Sequence, residues 1–147
     1  MTQSERLDFL VERFKLDSVR YRDAEVGSSV GDKRTALRSL MNIRMPAPMD
    51  TQTLQVQDDY LRARAEERGI VTLAEIPSIR EQYESHCAHA DTLSLWQGDI
   101  TLLRLDAIVN AANSQMLGCF QPMHSCIDNP IPLTITQASI NSIKVAA

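Results

Sequence analysis

The sequence predicts an α/β chain, in which a helical N-terminal region of roughly 70 residues leads into the first strands of a sheet. Three observations carry this reading. Apolar residues recur at helical spacing through the first part of the chain, short apolar runs of strand length begin at Leu93, and a small-residue segment, NAANS, follows the second run. Leu7, Leu10, Val11 and Phe14 stand at i, i+3, i+4 and i+7 with Glu5, Arg6, Glu12 and Arg13 between them, so a first amphipathic helix is expected, with Ser4 as its N-cap. After the connector VGSSVG, Asp32 is the expected cap of a second helix carrying Leu37, Leu40 and Met41, which the run Met45-Pro46-Ala47-Pro48 stops. A third helix reads from Thr51 to Arg68 with Leu54, Tyr60, Leu61 and Ala65 inward, and Gly69 ends it. One short helical turn is expected over 72–77, and SIREQYESHCAHAD reads as polar linker. Strands are expected at 93–97 and 105–109, the second almost continuously apolar as suits a strand covered on both faces.

Composition narrows the functional classes. With 15 Lys plus Arg against 19 Asp plus Glu, a net charge of −4 and a pI near 5.3, the chain has no general attraction for polyanions, which argues against a nucleic-acid partner. No apolar stretch approaches the ~20 residues that span a bilayer. The acidic, amphipathic start MTQSERLDFLVERF lacks the layout of a secretory signal, so a reducing compartment, the cytoplasm, is expected. The three cysteines, an odd number, suit free thiols or metal ligands better than a disulfide framework.

The chemically informative stretch is Cys119-Phe-Gln-Pro-Met-His124-Ser-Cys126, which offers two thiolates and one imidazole, the ligand types zinc prefers. Three protein ligands leave a fourth position open for water or substrate. The alternative reading is two buried thiols and a surface histidine. A second cluster, His86-Cys87-Ala88-His89, lies in the polar linker and reads as an exposed loop with solvated histidines. Asp99 after Gly98 is either a turn former or a carboxylate aimed at a ligand amino group, and Asn110 and Asn113 carry the same ambiguity.

Residues 96–129, WQGDITLLRLDAIVNAANSQMLGCFQPMHSCIDN, resemble the opening of a macrodomain, the fold that binds ADP-ribose, and GCF-x-P-x-H-x-CIDN resembles the zinc-containing branch of that family. KRTALRSLMNIRMPAP at 33–48 resembles the helical N-terminal extension of the same branch. The resemblance implies a helical extension and linker over 1–90, followed by the start of a three-layer α/β/α macrodomain over 91–129 that is incomplete. Its implied activity is zinc-dependent removal of mono-ADP-ribose from modified protein side chains. Carried over by position, Asp99 accepts a hydrogen bond from the adenine amino group with Ile100 beside it, Asn113 faces the distal ribose as a catalytic residue, and Cys119, His124 and Cys126 hold zinc. Past Asn129 the chain departs from the family pattern, and Pro130 and Pro132 fall where the family builds a helix. Residues 130–147 are therefore expected to be a divergent, disordered tail of a truncated product. The loop that clasps the diphosphate has no counterpart in the sequence. Two further readings follow, an ADP-ribose-binding module without turnover and an inactive fragment.

Overall fold

The computed structural model describes residues 1–45, 47–111, 114, 119–126, 129 and 144–146. Its N-terminal part is built from three helices: α1 (Gln3–Asp17), α2 (Val30–Ile43) and α3 (Thr51–Arg68). All four apolar residues expected to face inward on α1 do so, and Leu7, Leu10, Val11 and Phe14 pack with Leu37, Leu40, Val56 and Tyr60 into one core cluster. On α3 the buried positions are Thr53, Val56 and Tyr60, so the inward stripe includes Tyr60 while Leu54, Leu61 and Ala65 are half-buried.

The helix starts differ from expectation by a few residues, for a local reason. α1 begins at a capping box in which the Glu5 N–H donates to Thr2 Oγ1 and the Thr2 N–H to the Glu5 carboxylate, so Thr2 and not Ser4 is the cap. In α2 the cap is Ser29, whose Oγ accepts from the Asp32 N–H, which places Asp32 inside the first turn, where its charge suits the helix dipole. Asp50 caps α3, and Gly69 ends it at φ 87°, a left-handed conformation that costs a glycine nothing.

Past α3 the backbone makes a short parallel ribbon. β1 (Val71–Thr72) pairs with β2 (Leu103–Arg104), Val71 opposite Leu103 and Thr72 opposite Arg104. The helical turn expected over 72–77 is a 3-10 turn at Leu73–Glu75, but the stretch read as linker contains a further helix, α4 (Ile79–Tyr83). Ser78 and Glu81 close a capping box around it, and the 84–95 segment folds back on it through Ile79 N–H to Leu93 O (2.8 Å) and Gln82 Nε2 to Leu95 O (3.2 Å).

The expected strand at 93–97 does not form. These residues reach α4 through isolated hydrogen bonds instead of a ladder, and Leu93 and Leu95 are exposed. The apolar run at 105–109 is likewise no doubly covered strand: β3 is Val109–Ala111, and Val109 is 70% exposed. Within the stretch 130–147, Lys144–Ala146 form β4 and pair in parallel with β3, Val109 opposite Lys144 and Ala111 opposite Ala146. Among the described residues no helix is long and apolar enough to cross a membrane.

Candidate metal centre and ligand cleft

The segment from Cys119 to Cys126 is shaped by a β-turn. His124 N–H donates to Gln121 O (3.2 Å) across a turn whose second residue is Pro122, the residue type that presets φ there. Its third residue, Met123, sits at φ 57°, the left-handed region. The turn reverses the chain so that His124 comes back toward Cys119, and the Cys119 Sγ to His124 Nδ1 separation is 3.6 Å. Ligand atoms of Cys119, His124 and Cys126 all lie within 4.8 Å of one another.

These distances can be compared with what an ion demands. Zinc in tetrahedral geometry, with sulfur at about 2.3 Å and nitrogen at about 2.0–2.1 Å, sets an S···N edge of about 3.6 Å and an S···S edge of about 3.8 Å. The thiol–imidazole edge already has that length, and the rest of the group needs to close by no more than about 1 Å. Two sulfurs and an imidazole nitrogen form a soft-to-borderline donor set that fits a zinc-type ion far better than magnesium or calcium, which take oxygen ligands. Cys119 and Cys126 are half-buried and His124 is exposed, so one side of the group is open to solvent. His86, Cys87 and His89 are exposed residues of another loop and do not join it.

Several groups hold this loop, and sequence reasoning did not find them. Asn129 is 1% exposed; its Nδ2 donates to Gln121 O (2.9 Å) and Cys119 O (3.5 Å), and its N–H donates to Cys126 O (3.2 Å). Its Oδ1 accepts from Arg38 of α2 (3.2 Å), while Asn42, one turn further along α2, donates from Nδ2 to Cys119 O (3.1 Å). The signal that could have revealed Asn42 is a polar residue among the apolar positions of α2.

Asp99 stands in a cleft of about 320 Å³ between α2 and α3, with Arg34, Arg38, Arg64, Arg68 and Thr101 on its walls. Its side chain accepts from the Thr101 N–H (3.0 Å) and Oγ1 (2.7 Å), capping the 3-10 turn Ile100–Leu102, and it pairs with Arg68. Burial pushes the Asp99 carboxyl up, but the hydrogen bonds from Thr101 and Arg68 outweigh this and leave it below its ordinary value. The turn-former reading of Asp99 is what the structure shows, and the same carboxylate is held ionised on the wall of a cleft. Ile100 follows it, half-buried. Arg38 lines this cleft and also bonds Asn129, so one side chain touches both the Asp99 cleft and the support of the metal loop. Asn113 lies outside the described residues, and Asn110 falls in β3.

Comparison with known proteins gives this geometry its context. No family model matches the chain. A protein-ADP-ribose hydrolase of Treponema medium is 40% identical over 131 residues, covering 89% of this chain and 48% of that protein. One from Staphylococcus aureus strain Mu50 is 36% identical over 126 residues, 86% of this chain and 44% of its own length. A probable bifunctional ADP-ribose hydrolase/ADP-ribosyltransferase of Fusarium oxysporum f. sp. cubense is 40% identical over 100 residues, 67% of this chain and 17% of that protein. The chain thus spans about half the length of the first two relatives. Over that shared half, the chain is similar to proteins named protein-ADP-ribose hydrolase.

Proposed function

We propose that this chain carries the metal-holding and adenine-recognising part of a zinc-dependent hydrolase that removes mono-ADP-ribose from modified protein side chains. Residues 1–90 form its helical scaffold and linker, and residues 91–129 carry the site. The observation that supports this most is the Cys119, His124 and Cys126 group, with a thiol–imidazole edge of tetrahedral length, in a chain similar to proteins named for this activity. Zinc bound by three protein ligands supplies Lewis acidity at its open position.

The residues of the chain do the recognition. Asp99 is held ionised by Thr101 and Arg68, so it can accept from, and not donate to, the exocyclic amino group of adenine. Its ion pair with Arg68 is half-exposed and worth little in water, so sharing the carboxylate with a ligand costs little. Ile100 offers apolar contact beside the base, and Asn113 is assigned to the distal ribose by its position in the NAANS motif. The bond to be broken joins ribose C1 to a side-chain carboxylate and breaks with oxocarbenium character, so a polar group at the ribose lowers the barrier. The site lies in an acidic chain, with a modified protein as partner and no nucleic acid. Cys119 and Cys126 form no disulfide, and a reducing cytoplasm keeps them available as thiolate ligands.

The test is release of free ADP-ribose from a mono-ADP-ribosylated protein by the zinc-loaded chain, followed chromatographically. Release that Cys119→Ala abolishes is the expected result. Equal release by Cys119→Ala removes zinc from the account. Saturable change in Trp96 fluorescence on adding ADP-ribose, with no release, is the result of a binding module and overturns the hydrolase reading.

A further inference from the structure

Helix α2 presents two stripes. Leu37 and Leu40 enter the core cluster, while Arg38 and Asn42, spaced i and i+4 and so on one face, reach the 119–129 loop. We propose that Arg38 and Asn42 are positioning residues for the metal centre, through which the N-terminal helices hold the Cys119–Cys126 loop in ligating shape before an ion arrives. This rests on the reading that the loop holds zinc.

Asn129 closes the loop at both ends, with its amide nitrogen on Gln121 and Cys119 and its backbone N–H on Cys126. An Asn amide can be placed either way round, and a guanidinium can only donate. The Arg38 contact to Oδ1 therefore fixes the amide so that its NH2 faces the two carbonyls. Asn42 adds a second donor to Cys119 O, so the carbonyl of a ligand residue accepts two hydrogen bonds. The turn residue Pro122 also borders the groove formed by Ser39, Leu40 and Ile43, which puts the loop against α2 at a further point.

Asn42 is otherwise a poor choice for its place. It is 5% exposed, and its Oδ1 is buried with no hydrogen-bond partner among the described residues. Leucine at this position would relieve that orphaned acceptor, so the amide is of use to the loop and not to the helices. A flexible three-ligand loop must be ordered when the ion binds, and groups that order it beforehand raise affinity without touching the ion.

The experiment measures zinc affinity of the full chain by competition with a chromophoric chelator, with the cobalt(II) absorption spectrum as second readout and melting of the metal-free protein as control. For the double variant Arg38→Met, Asn42→Leu, zinc affinity falls by about 10–100-fold. Its cobalt bands change shape while the metal-free melting curve stays close to wild type. Arg38→Lys, which keeps a donor to Asn129 Oδ1, recovers part of the affinity. Unchanged zinc affinity and an unchanged cobalt spectrum in the double variant overturn the proposal. If that variant loses its melting transition, Asn42→Leu alone carries the same test, and wild-type affinity there is the overturning result. Wild-type chain that takes up no zinc removes the underlying metal reading as well, a result distinct from failure of the positioning role.

Discussion

Replacing Leu10 by Ala tests whether the three-helix core stabilises the chain as its burial requires. Leu10 is fully buried, 0% exposed, within the cluster shared by α1, α2 and α3, whereas Leu16 on the same helix is 56% exposed. Truncation of a buried leucine removes apolar contact and leaves a cavity that a close-packed core refills only in part, at a cost of about 2–5 kcal/mol. The same change at an exposed position stays within about 0.5 kcal/mol. Leu and Ala differ little in helix propensity, so the difference between Leu10→Ala and Leu16→Ala isolates burial. For a unit of this size each kcal/mol moves the melting midpoint by about 4–8 °C. Followed by far-UV circular dichroism in chelator-containing buffer, Leu10→Ala melts at least about 8 °C below wild type, and Leu16→Ala within about 4 °C of it. Two variants that melt together would refute the assignment of this cluster as the core.

Further predictions concern the ends of elements and pH. Gly69→Ala forces a Cβ into the left-handed φ of 87° at the end of α3 and lowers stability by about 1–2 kcal/mol; a midpoint at or above wild type in urea contradicts this. At Gly98 an added Cβ would come within 2.3 Å of the Trp96 ring, so Gly98→Ala moves the indole and shifts the emission of the single tryptophan, and an unchanged spectrum rejects that packing. Asp17 is pushed up by burial, but hydrogen bonds from Arg44 and Arg13 hold it below its ordinary value, and Asp50 is held low by the N–H and hydroxyl of Thr53. Both folded values lie below the unfolded ones, so this stabilisation is complete above about pH 4 and lost as pH falls through the folded values. Urea midpoints are therefore flat from about pH 7 to 5 and drop below about 4; a midpoint that rises on acidification contradicts the assignment.

The helices were legible because their signal is local and repeated. The i, i+3, i+4, i+7 pattern of α1 survives intact, and Gly69 ends α3 where its left-handed φ requires glycine. The strands were less legible because a strand is completed by its partner. The run at 105–109 has the apolar content of a covered strand, but its pairing begins only at Val109, and 93–97 finds no ladder. α4 was missed because its five residues carry no periodicity, although the Ser78 and Glu81 spacing was there to be read as a capping box.

At the site, Cys119, His124 and Cys126 were visible from residue type and spacing, since a tight turn at Pro122 and Met123 is enough to gather them. Asp99 was visible through its motif but not its pairing with Arg68, which lies 31 positions away. Arg38 and Asn42 were invisible as supports because they act on Asn129 and a backbone carbonyl 91 and 77 positions away, and a carbonyl leaves no trace in sequence.

The measurement that tests the central claim most directly is the zinc content of the purified full chain after dialysis against metal-free buffer, by mass spectrometry of the metal. Wild type is expected to retain one zinc ion per chain, and the Cys119→Ser, Cys126→Ser double variant to retain essentially none. Zinc absent from wild type, or present equally in both proteins, would contradict the assignment of Cys119, His124 and Cys126 as its ligands.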